Sequence, residues 1–345
     1  MLSRYLVCKE RFRVQYIEGL RPQPGFEAKI EYGQMWHVCE EALANGKPWE
    51  PALIGYCKGL SKIYPMNGQD ISHWWKVCAI QFPIYVKYWS KHRDVKNRKP
   101  LAQEYVFDIP YQLPSGRMVR LRGKFDSVDL ISNKVWLQEN KTKSDIDRIK
   151  LTRQLSFDLQ TMLYLTALLS SDLLKGRKLA GVRYNVIRRP LSGGKGSIRR
   201  HKATKNKPEE SLNEFYQRLR TEVIEQEVKE AALEKRDCDY FCRFNVEVNT
   251  VDINRFRGEC LDPILENLCC DYEWWARCHT NGWSPYSISK LHSSEFTHHR
   301  SYHYRFPYGV YNVLTEGGYS ELDEYLLTGS EQGLVRMESL FNELQ

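Results

Sequence analysis

The sequence predicts an α/β protein: a central mixed β-sheet flanked by helices, with helical additions at the N- and C-terminal ends. Three segments rich in β-branched and apolar residues follow one another between residues 105 and 141. An apolar stretch with helical spacing comes next, at 151–174, and then another strand candidate at 179–187. A run of strands followed by a helix and a further strand is typical of a sheet covered by helices.

Turn residues separate the three strand segments. The segments are Tyr105–Leu113, Met118–Val128 and Val135–Lys141, and the sequences Pro114-Ser115-Gly116 and Ser132-Asn133 lie between them. Short connections of this kind join antiparallel neighbours in a sheet. We therefore expect three sequential antiparallel strands.

Apolar residues at helical spacing account for much of the remaining chain. In the first twenty residues Tyr5, Cys8, Phe12 and Tyr16 recur in this way, and the sequence RPQPG at 21–25 then breaks the helix. The predicted helices cover residues 1–20, 31–44, 151–174, 209–235 and 252–279.

The composition bounds the class of protein. The chain has 345 residues, 42% of them hydrophobic, with 21 Tyr, 13 Phe and 9 Trp, which is enough to bury a sizeable core and argues against disorder. No apolar run approaches the roughly 20 residues that a membrane-spanning helix needs. The opening sequence MLSRYLVCKERFR lacks the features of a secretory signal, so we expect a cytoplasmic protein. The net charge of +8 suits a polyanionic partner.

Two acidic residues end neighbouring predicted strands. Asp126 closes the sequence Gly-Lys-Phe-Asp, and Glu139 opens the sequence Glu-Asn-Lys that ends at Lys141. Antiparallel strands with a short turn can bring Asp126 and Glu139 side by side, and alternation places Glu139 and Lys141 on one face. Two carboxylates at one sheet edge repel each other unless a cation lies between them, and hard oxygen ligands suit Mg²⁺ or Mn²⁺. A neighbouring lysine can then favour the hydroxide form of an attacking water.

The surroundings of this acid-x-Lys triplet distinguish it from others in the chain. The same pattern occurs at 27–29, 94–96 and 227–229, where we expect solvated surface pairs. The 139–141 triplet instead ends the apolar strand VWLQ. It also precedes a helix that carries Gln160 and Tyr164, which lie four positions apart and therefore on one helical face.

These motifs together resemble those of the PD-(D/E)XK nucleases of the RecB-like class, which includes phage exonucleases. Over about residues 3–190, the shared motifs are Gly33-x-x-x-His37, Gly123-x-x-Asp126, Glu139-x-Lys141 and Gln160-x-x-x-Tyr164. The resemblance implies a restriction-endonuclease-like core in a single nuclease domain, 1–345. Its expected parts are a helical N-terminal part (1–100) that contributes His37, a catalytic core (101–190), and a basic loop with a helical C-terminal part (191–345).

The resemblance also implies roles for individual residues. The catalytic residues would be Asp126, Glu139 and Lys141. The ligands of Mg²⁺ or Mn²⁺ would be His37, Asp126, Glu139 and the backbone carbonyl of Asn140. Residues that contact the substrate or support the centre would be Gln160, Tyr164 and Glu104. From the residues alone, His37 could equally be a packed helix histidine, Glu104 a surface carboxylate, and Gln160 and Tyr164 rim residues.

The activity implied by the resemblance is metal-dependent hydrolysis of DNA phosphodiester bonds, by an exonuclease in phage or bacterial DNA recombination, repair or processing. It would act in the cytoplasm of the bacterium or of the phage's host. Two alternatives stay open: a non-catalytic DNA-binding or assembly protein that keeps the fold, and an RNA-cleaving relative. A homo-oligomer or a recombination partner protein also stays open.

A basic loop follows the last strand of the predicted core. Its candidate phosphate contacts are Arg188, Arg189, Lys195, Arg199, Arg200 and Lys202. A solvated, flexible run of charges is the alternative for this loop.

The ten cysteines are expected to be reduced thiols or metal ligands. Some RecB-like nucleases hold an iron–sulfur cluster through one cysteine in the opening helix and three near the C-terminus, and Cys8 matches the first position. The later cysteines form no tight C-x₂-C framework. We therefore expect buried thiols and no iron–sulfur cluster.

Overall fold

The structure is a computed structural model of the chain, and it falls into two compact units. It describes residues 1–22, 24–90, 92, 95, 97–156, 158–191, 197–281 and 334–337. The first unit holds the described residues of 1–25, 112–118 and 255–345, and the second holds those of 26–111 and 119–254. Among the described helices, none combines the length and the apolar character that a membrane span requires.

Eleven α-helices and seven strands are found in the described residues. The helices are α1 (Leu2–Val7), α2 (Lys9–Phe12), α3 (Ala28–Ala44), α4 (Trp49–Ile63), α5 (Gly68–Trp89), α6 (Arg148–Leu155), α7 (Leu159–Leu169), α8 (Leu212–Arg218), α9 (Gln226–Leu233), α10 (Thr250–Phe256) and α11 (Asp262–Thr280). The strands are β1 (Leu20–Pro22), β2 (Arg98–Gln112), β3 (Met118–Ile131), β4 (Lys134–Lys143), β5 (Lys178–Arg188), β6 (Phe241–Glu247) and β7 (Leu334–Arg336).

Strands β2 to β6 form one five-stranded mixed sheet in sequence order. β3 pairs antiparallel with β4, β4 parallel with β5, and β5 antiparallel with β6. Ser132 and Asn133, which join β3 to β4, have φ angles of 51° and 61°, the positive values that a two-residue hairpin turn favours. The predicted mixed sheet is confirmed, and β2 begins at Arg98, before the predicted start at Tyr105.

Helices cover both faces of this sheet. Adjacent residues of β5 point to opposite faces. Tyr184 donates to the carbonyl of Leu155 at 3.0 Å and to Thr161 Oγ1 at 2.7 Å, in α6 and α7. The next residue, Asn185, contacts Tyr85 Oη of α5 at 2.6 Å. The predicted arrangement of a sheet flanked by helices is therefore confirmed.

The helix predicted over 151–174 is instead two helices, α6 and α7. The Asp158 side chain accepts hydrogen bonds from the backbone N–H of Thr161 at 3.0 Å and from its hydroxyl at 2.7 Å. An aspartate in this position caps the start of a helix, so the chain begins a new helix at Leu159. This break makes Gln160 a first-turn residue of α7.

The helices α3, α4 and α5 share a core rich in aromatic residues. Trp36 is fully buried, and its ring lies 5.1 Å, edge to face, from both Phe82 and Tyr85. Cys39 and Cys78 are buried in the same core, and burial raises the pKa of the Cys78 thiol. None of the ten cysteines forms a disulfide. The core fixes α3, the helix that carries His37.

The first unit has its own buried ion pairs. Arg13 is fully buried and donates to Glu10 Oε1 at 2.7 Å and Glu18 Oε1 at 3.1 Å. The Trp275 indole also donates to Glu18, at 2.8 Å. In the turn between β2 and β3, Arg117 pairs with Glu273 of α11 at 2.8 Å.

A second buried charge network lies behind β4 in the second unit. The Asp129 carboxylate is fully buried, 2.9 Å from Arg98 Nε and 3.3 Å from Arg183 Nη2. Arg183 also donates from its Nε to Gln138 Oε1 at 3.1 Å. Burial, with the charge of Arg243, lowers the pKa of Arg183 to about 10. Asp129 thus supplies the negative charge that compensates the buried guanidinium groups of Arg98 and Arg183.

We expect Asp129→Ala to lower the free energy of unfolding by about 3–5 kcal/mol, because two buried guanidinium groups would lose their shared carboxylate. Urea unfolding followed by circular dichroism would measure this loss.

The matched control is Asp108→Ala, since Asp108 also bridges two arginines, Arg120 and Arg122, on the exposed face of the same sheet. We expect little change in this control because solvent screens the pair. Equal losses in the two variants would contradict the account of the buried network.

Candidate active site

The hairpin of β3 and β4 brings the two predicted central acids together. Its antiparallel register runs from the pair Ile131 and Lys134 to the pair Ser127 and Gln138. Asp126 and Glu139 are the next residues on their strands. The backbone N–H of Asn140 donates to Asp126 Oδ2 at 2.7 Å, which ties the two strand ends to each other.

Helix α3 and strand β2 add a histidine and a third acid to Asp126. His37 Nδ1 lies 3.3 Å from Glu104 Oε1 and 3.6 Å from Asp126 Oδ1. One potential ligand atom from each of the three residues lies within 4.8 Å of the others. Glu104 has a φ angle of 46°, a left-handed conformation that costs energy in a non-glycine residue and often occurs at functional sites.

A second chain of contacts runs from Glu139 to helix α7. Lys141 Nζ donates to Glu139 Oε2 at 3.0 Å and to Gln160 Oε1 at 3.3 Å. Gln160 Nε2 then donates to Tyr164 Oη at 3.0 Å. The lysine ammonium is therefore held between a buried carboxylate and an amide that α7 positions.

The two central carboxyl groups are destabilised in their charged form. Burial, with the charge of Asp126, raises the pKa of Glu139 to about 8, although Lys141 opposes this shift. Burial also raises the pKa of Asp126, against the favourable charge of His37. Holding both carboxyl groups in their ionised form at this position therefore costs free energy.

Neighbouring groups respond to this negative charge. Burial would lower the pKa of His37, but its hydrogen bond to Glu104 and the charge of Asp126 raise it overall. The pKa of Lys141 is likewise raised, because Glu139 outweighs the effect of burial. Burial works to raise the pKa of Glu104, yet its hydrogen bonds with His37 and Lys124 lower it. The carboxylates of this site therefore favour positively charged neighbours.

The donor set fits a divalent cation. Glu139 is only 1% exposed, and its Oε1 accepts no hydrogen bond within the described part of the chain. A buried carboxylate oxygen without a partner costs free energy, and a hard cation would satisfy it. His37, Glu104 and Asp126 supply further oxygen and imidazole atoms that Mg²⁺ or Mn²⁺ can accept as ligands.

The structure brings together most of the predicted site residues. His37, Glu104 and Asp126 form one group, and Glu139, Lys141, Gln160 and Tyr164 form a chain of hydrogen bonds beside it. The Asn140 backbone meets Asp126 through its N–H, while its side-chain Oδ1 accepts from Asn185 at 2.9 Å on the other face of β4. The roles of all these residues stay predictions.

The predicted phosphate contacts of the basic loop lie in two settings. Arg188 and Arg189 are partly buried: Arg188 lies 3.9 Å from Asp239, and Arg189 donates to the Thr142 carbonyl at 2.7 Å. Arg200 pairs with Glu209. Arg199 and Lys202 are exposed, and Lys195 lies outside the described residues. Binding of nucleic acid by this loop stays a prediction.

Three charged residues that matter here had no role in the sequence analysis. Lys124 contacts Glu104, and Asp129 and Arg183 form the buried network behind β4. Lys124 lies two positions before Asp126, where strand alternation could have indicated a neighbour of the site. The signal for Asp129 and Arg183 was a charged residue directly between two apolar or aromatic neighbours of a strand, which usually marks a buried pair.

An aromatic wall supports one side of the site. Phe107 and Phe125 stack with ring centroids 4.5 Å apart, and the Tyr164 ring packs edge-on against both. Gly123 leaves the space for these rings. A Cβ atom at this position would lie 2.6 Å from the Phe107 ring and 2.8 Å from the Tyr164 ring.

The mixed sheet flanked by helices and the candidate metal centre agree with the family that the chain matches. The family model of the PD-(D/E)XK nuclease superfamily matches residues 1–246. The chain belongs to the PD-(D/E)XK nuclease superfamily, whose members are hydrolases. No curated protein sequence shows a significant match to the chain.

We expect Gly123→Ala to destabilise the protein by about 1–3 kcal/mol, because the added methyl group would force the Phe107 and Tyr164 rings to move. Thermal unfolding monitored by differential scanning calorimetry would measure the loss. The control is Gly55→Ala in α4, where a Cβ atom would meet no other atom within 4 Å. An unchanged unfolding temperature for Gly123→Ala would contradict the tight packing.

Proposed function

We propose that this protein hydrolyses DNA phosphodiester bonds with Mg²⁺, as an exonuclease in recombination, repair or processing of phage or bacterial DNA. One observation carries the proposal: the buried Glu139 carboxylate meets Lys141 at 3.0 Å, next to the group of His37, Glu104 and Asp126. A family membership shared over residues 1–246 supports the hydrolytic chemistry. We also propose that residues 1–345 act as one nuclease domain in the cytoplasm of a bacterial or host cell.

The proposed metal ligands are Asp126 and Glu139, with His37 and the Asn140 carbonyl, and the geometry adds Glu104 to this set. A divalent ion bound there would supply positive charge to stabilise the phosphate oxygens during attack. His37 and Asp126 are already 3.6 Å apart, so these two ligand atoms need little movement to converge. The buried position excludes bulk water from Glu139, which strengthens its interaction with a cation.

Lys141 is the proposed activating residue. Glu139 outweighs burial and raises the pKa of Lys141, which favours the charged ammonium beside the carboxylate. This charge orients the attacking water and lowers the cost of its losing a proton to become hydroxide. Gln160 positions the ammonium from α7, and Tyr164 in turn orients Gln160.

Lys141→Ala should cut DNA at least about 100-fold more slowly than the parent while it still binds DNA, the range typical of a lost catalytic group. Cleavage of a labelled oligonucleotide with Mg²⁺ and binding of the same oligonucleotide in EDTA are the two measurements. The matched control is Lys143→Ala, two residues further along β4, which should cut at the parent rate. Equal cutting by the two variants would rule out the role of Lys141.

Asp126→Asn should weaken binding of Mn²⁺ at least about tenfold, because the loss of ligand charge weakens metal sites by this order or more. Titration of free Mn²⁺ followed by electron paramagnetic resonance measures this affinity without any reaction. The control is Asp108→Asn, a change of the same chemistry on the exposed face of the sheet. Equal affinities for parent and Asp126→Asn would place the metal elsewhere.

Linear and circular DNA distinguish the exonuclease from its alternatives. Incubation with Mg²⁺ should degrade linear duplexes and leave covalently closed circles intact. Cleavage of the circles would indicate an endonuclease, and cleavage of RNA but not of DNA would indicate the RNA-cleaving alternative. Binding without cleavage of either would favour a non-catalytic DNA-binding protein that keeps the fold.

A further inference from the structure

The β2–β3 ribbon exposes a row of cations that leads to the candidate site. Arg120, Arg122 and Lys124 occupy every second position of β3, and their side chains are 48%, 41% and 49% exposed. Alternation along a strand places such residues on one face. Asp108 confirms this, because its carboxylate accepts from both arginines, at 2.6 and 3.1 Å.

The row is connected to the candidate metal group by direct contacts. Lys124 pairs with Glu104, Glu104 lies 3.3 Å from His37, and His37 lies 3.6 Å from Asp126. A ligand that lies along the row from Arg120 therefore reaches the group that would hold the metal. Lys124 therefore connects the exposed row to the candidate metal group.

The same face of the ribbon is open to solvent. Val106 and Met118, which follow the same alternation, are 70% and 57% exposed. Acidic side chains also lie near the row: Asp108 pairs with two arginines, Glu104 belongs to the candidate metal group, and the charges of Asp126 and Glu41 act on Lys124. The face thus offers a line of positively charged side chains with apolar margins, which suits a polyanion.

The spacing of the row fits a nucleic acid strand. Strand residues rise about 3.3–3.4 Å each, so neighbouring cations of the row lie about 6.7 Å apart along β3. Successive phosphates of one strand are separated by a distance of the same order, because the backbone path is longer than the axial rise, so the row can meet consecutive phosphates. From Arg120 to Lys124 the row extends about 13 Å, which three consecutive phosphates span.

We propose that the row of Arg120, Arg122 and Lys124 binds the backbone of the nucleic acid strand and guides it to the group of His37, Glu104 and Asp126. This inference rests on the proposed nuclease function and identifies the surface by which substrate approaches. The arginines are positioning residues, because they contact phosphates away from the reacting bond.

The test uses the double variant Arg120→Gln/Arg122→Gln of the full chain. Binding of a fluorescein-labelled 20-nucleotide DNA is measured by anisotropy in EDTA between 50 and 200 mM salt. We expect affinity at 0.1 M salt to fall roughly tenfold for two lost phosphate contacts. The slope of log K against log salt should fall in magnitude by about 1.4–1.8, since each contact contributes about 0.7–0.9.

A second double variant controls for net charge. Arg220→Gln/Arg255→Gln removes the same two charges from exposed helix arginines, each paired with a glutamate. It should bind the oligonucleotide as the parent does. Equal loss in both double variants, or no loss in the first, overturns the proposal. Competition by polyglutamate as strong as by DNA at equal charge also overturns it, in favour of an acidic protein partner.

Hydrolysis of bis(p-nitrophenyl) phosphate measures the activity of the candidate site without any contribution from the row. This small diester cannot reach from the site to Arg120, so both double variants should hydrolyse it at the parent rate, which also shows that the site is folded. A loss of this activity in Arg120→Gln/Arg122→Gln alone would overturn a guiding role. Failure of the parent to cut any diester would refute the proposed function, while the anisotropy measurement still tests the row.

Discussion

Glu139 lies almost fully buried beside a second, partly buried acid, Asp126, and the fold holds these two like charges close together. Burial raises the pKa values of both carboxyl groups, and the charge of Asp126 adds to the rise at Glu139. Against the effect of burial, the neighbouring carboxylates raise the pKa values of His37 and Lys141. Added positive charge between Asp126 and Glu139 would offset the free-energy cost of holding two ionised carboxylates there.

The rest of the second unit fixes the positions of the residues around Asp126 and Glu139. The core of α3, α4 and α5 fixes His37 from one side, and the Asp158 cap starts α7 where Gln160 can reach Lys141. Behind β4, the buried pairing of Asp129 with Arg98 and Arg183 stabilises the strands that carry the acids. Polar groups therefore lie on both faces of β4, with the candidate site on one face and the buried ion pairs on the other.

Local sequence signals predicted the hairpin acids well. The turn at Ser132 and Asn133 fixes the register of β3 and β4, so the spacing of Asp126 and Glu139 was enough to place them together. The contact of His37 with Glu104 joins residues 67 positions apart, and local periodicity in the sequence cannot indicate such a contact. The family resemblance supplied His37, whereas only the three-dimensional structure joined it to Glu104.

Two features escaped prediction for physical reasons. Apolar spacing continues through 151–174, so it concealed the break that the Asp158 cap makes between α6 and α7. The network of Asp129 and Arg183 depends on strands far apart in sequence, so pattern alone could not pair these charges. Helix caps and buried ion pairs decide such details after the hydrophobic pattern has set the fold.

Asp126, Glu139 and His37 together should hold one divalent cation. Crystals of the full chain can be soaked in Mn²⁺ and measured at the manganese absorption edge. We expect an anomalous peak bounded by Asp126, Glu139 and His37. Well-occupied manganese peaks elsewhere, with none among these three residues, would contradict it.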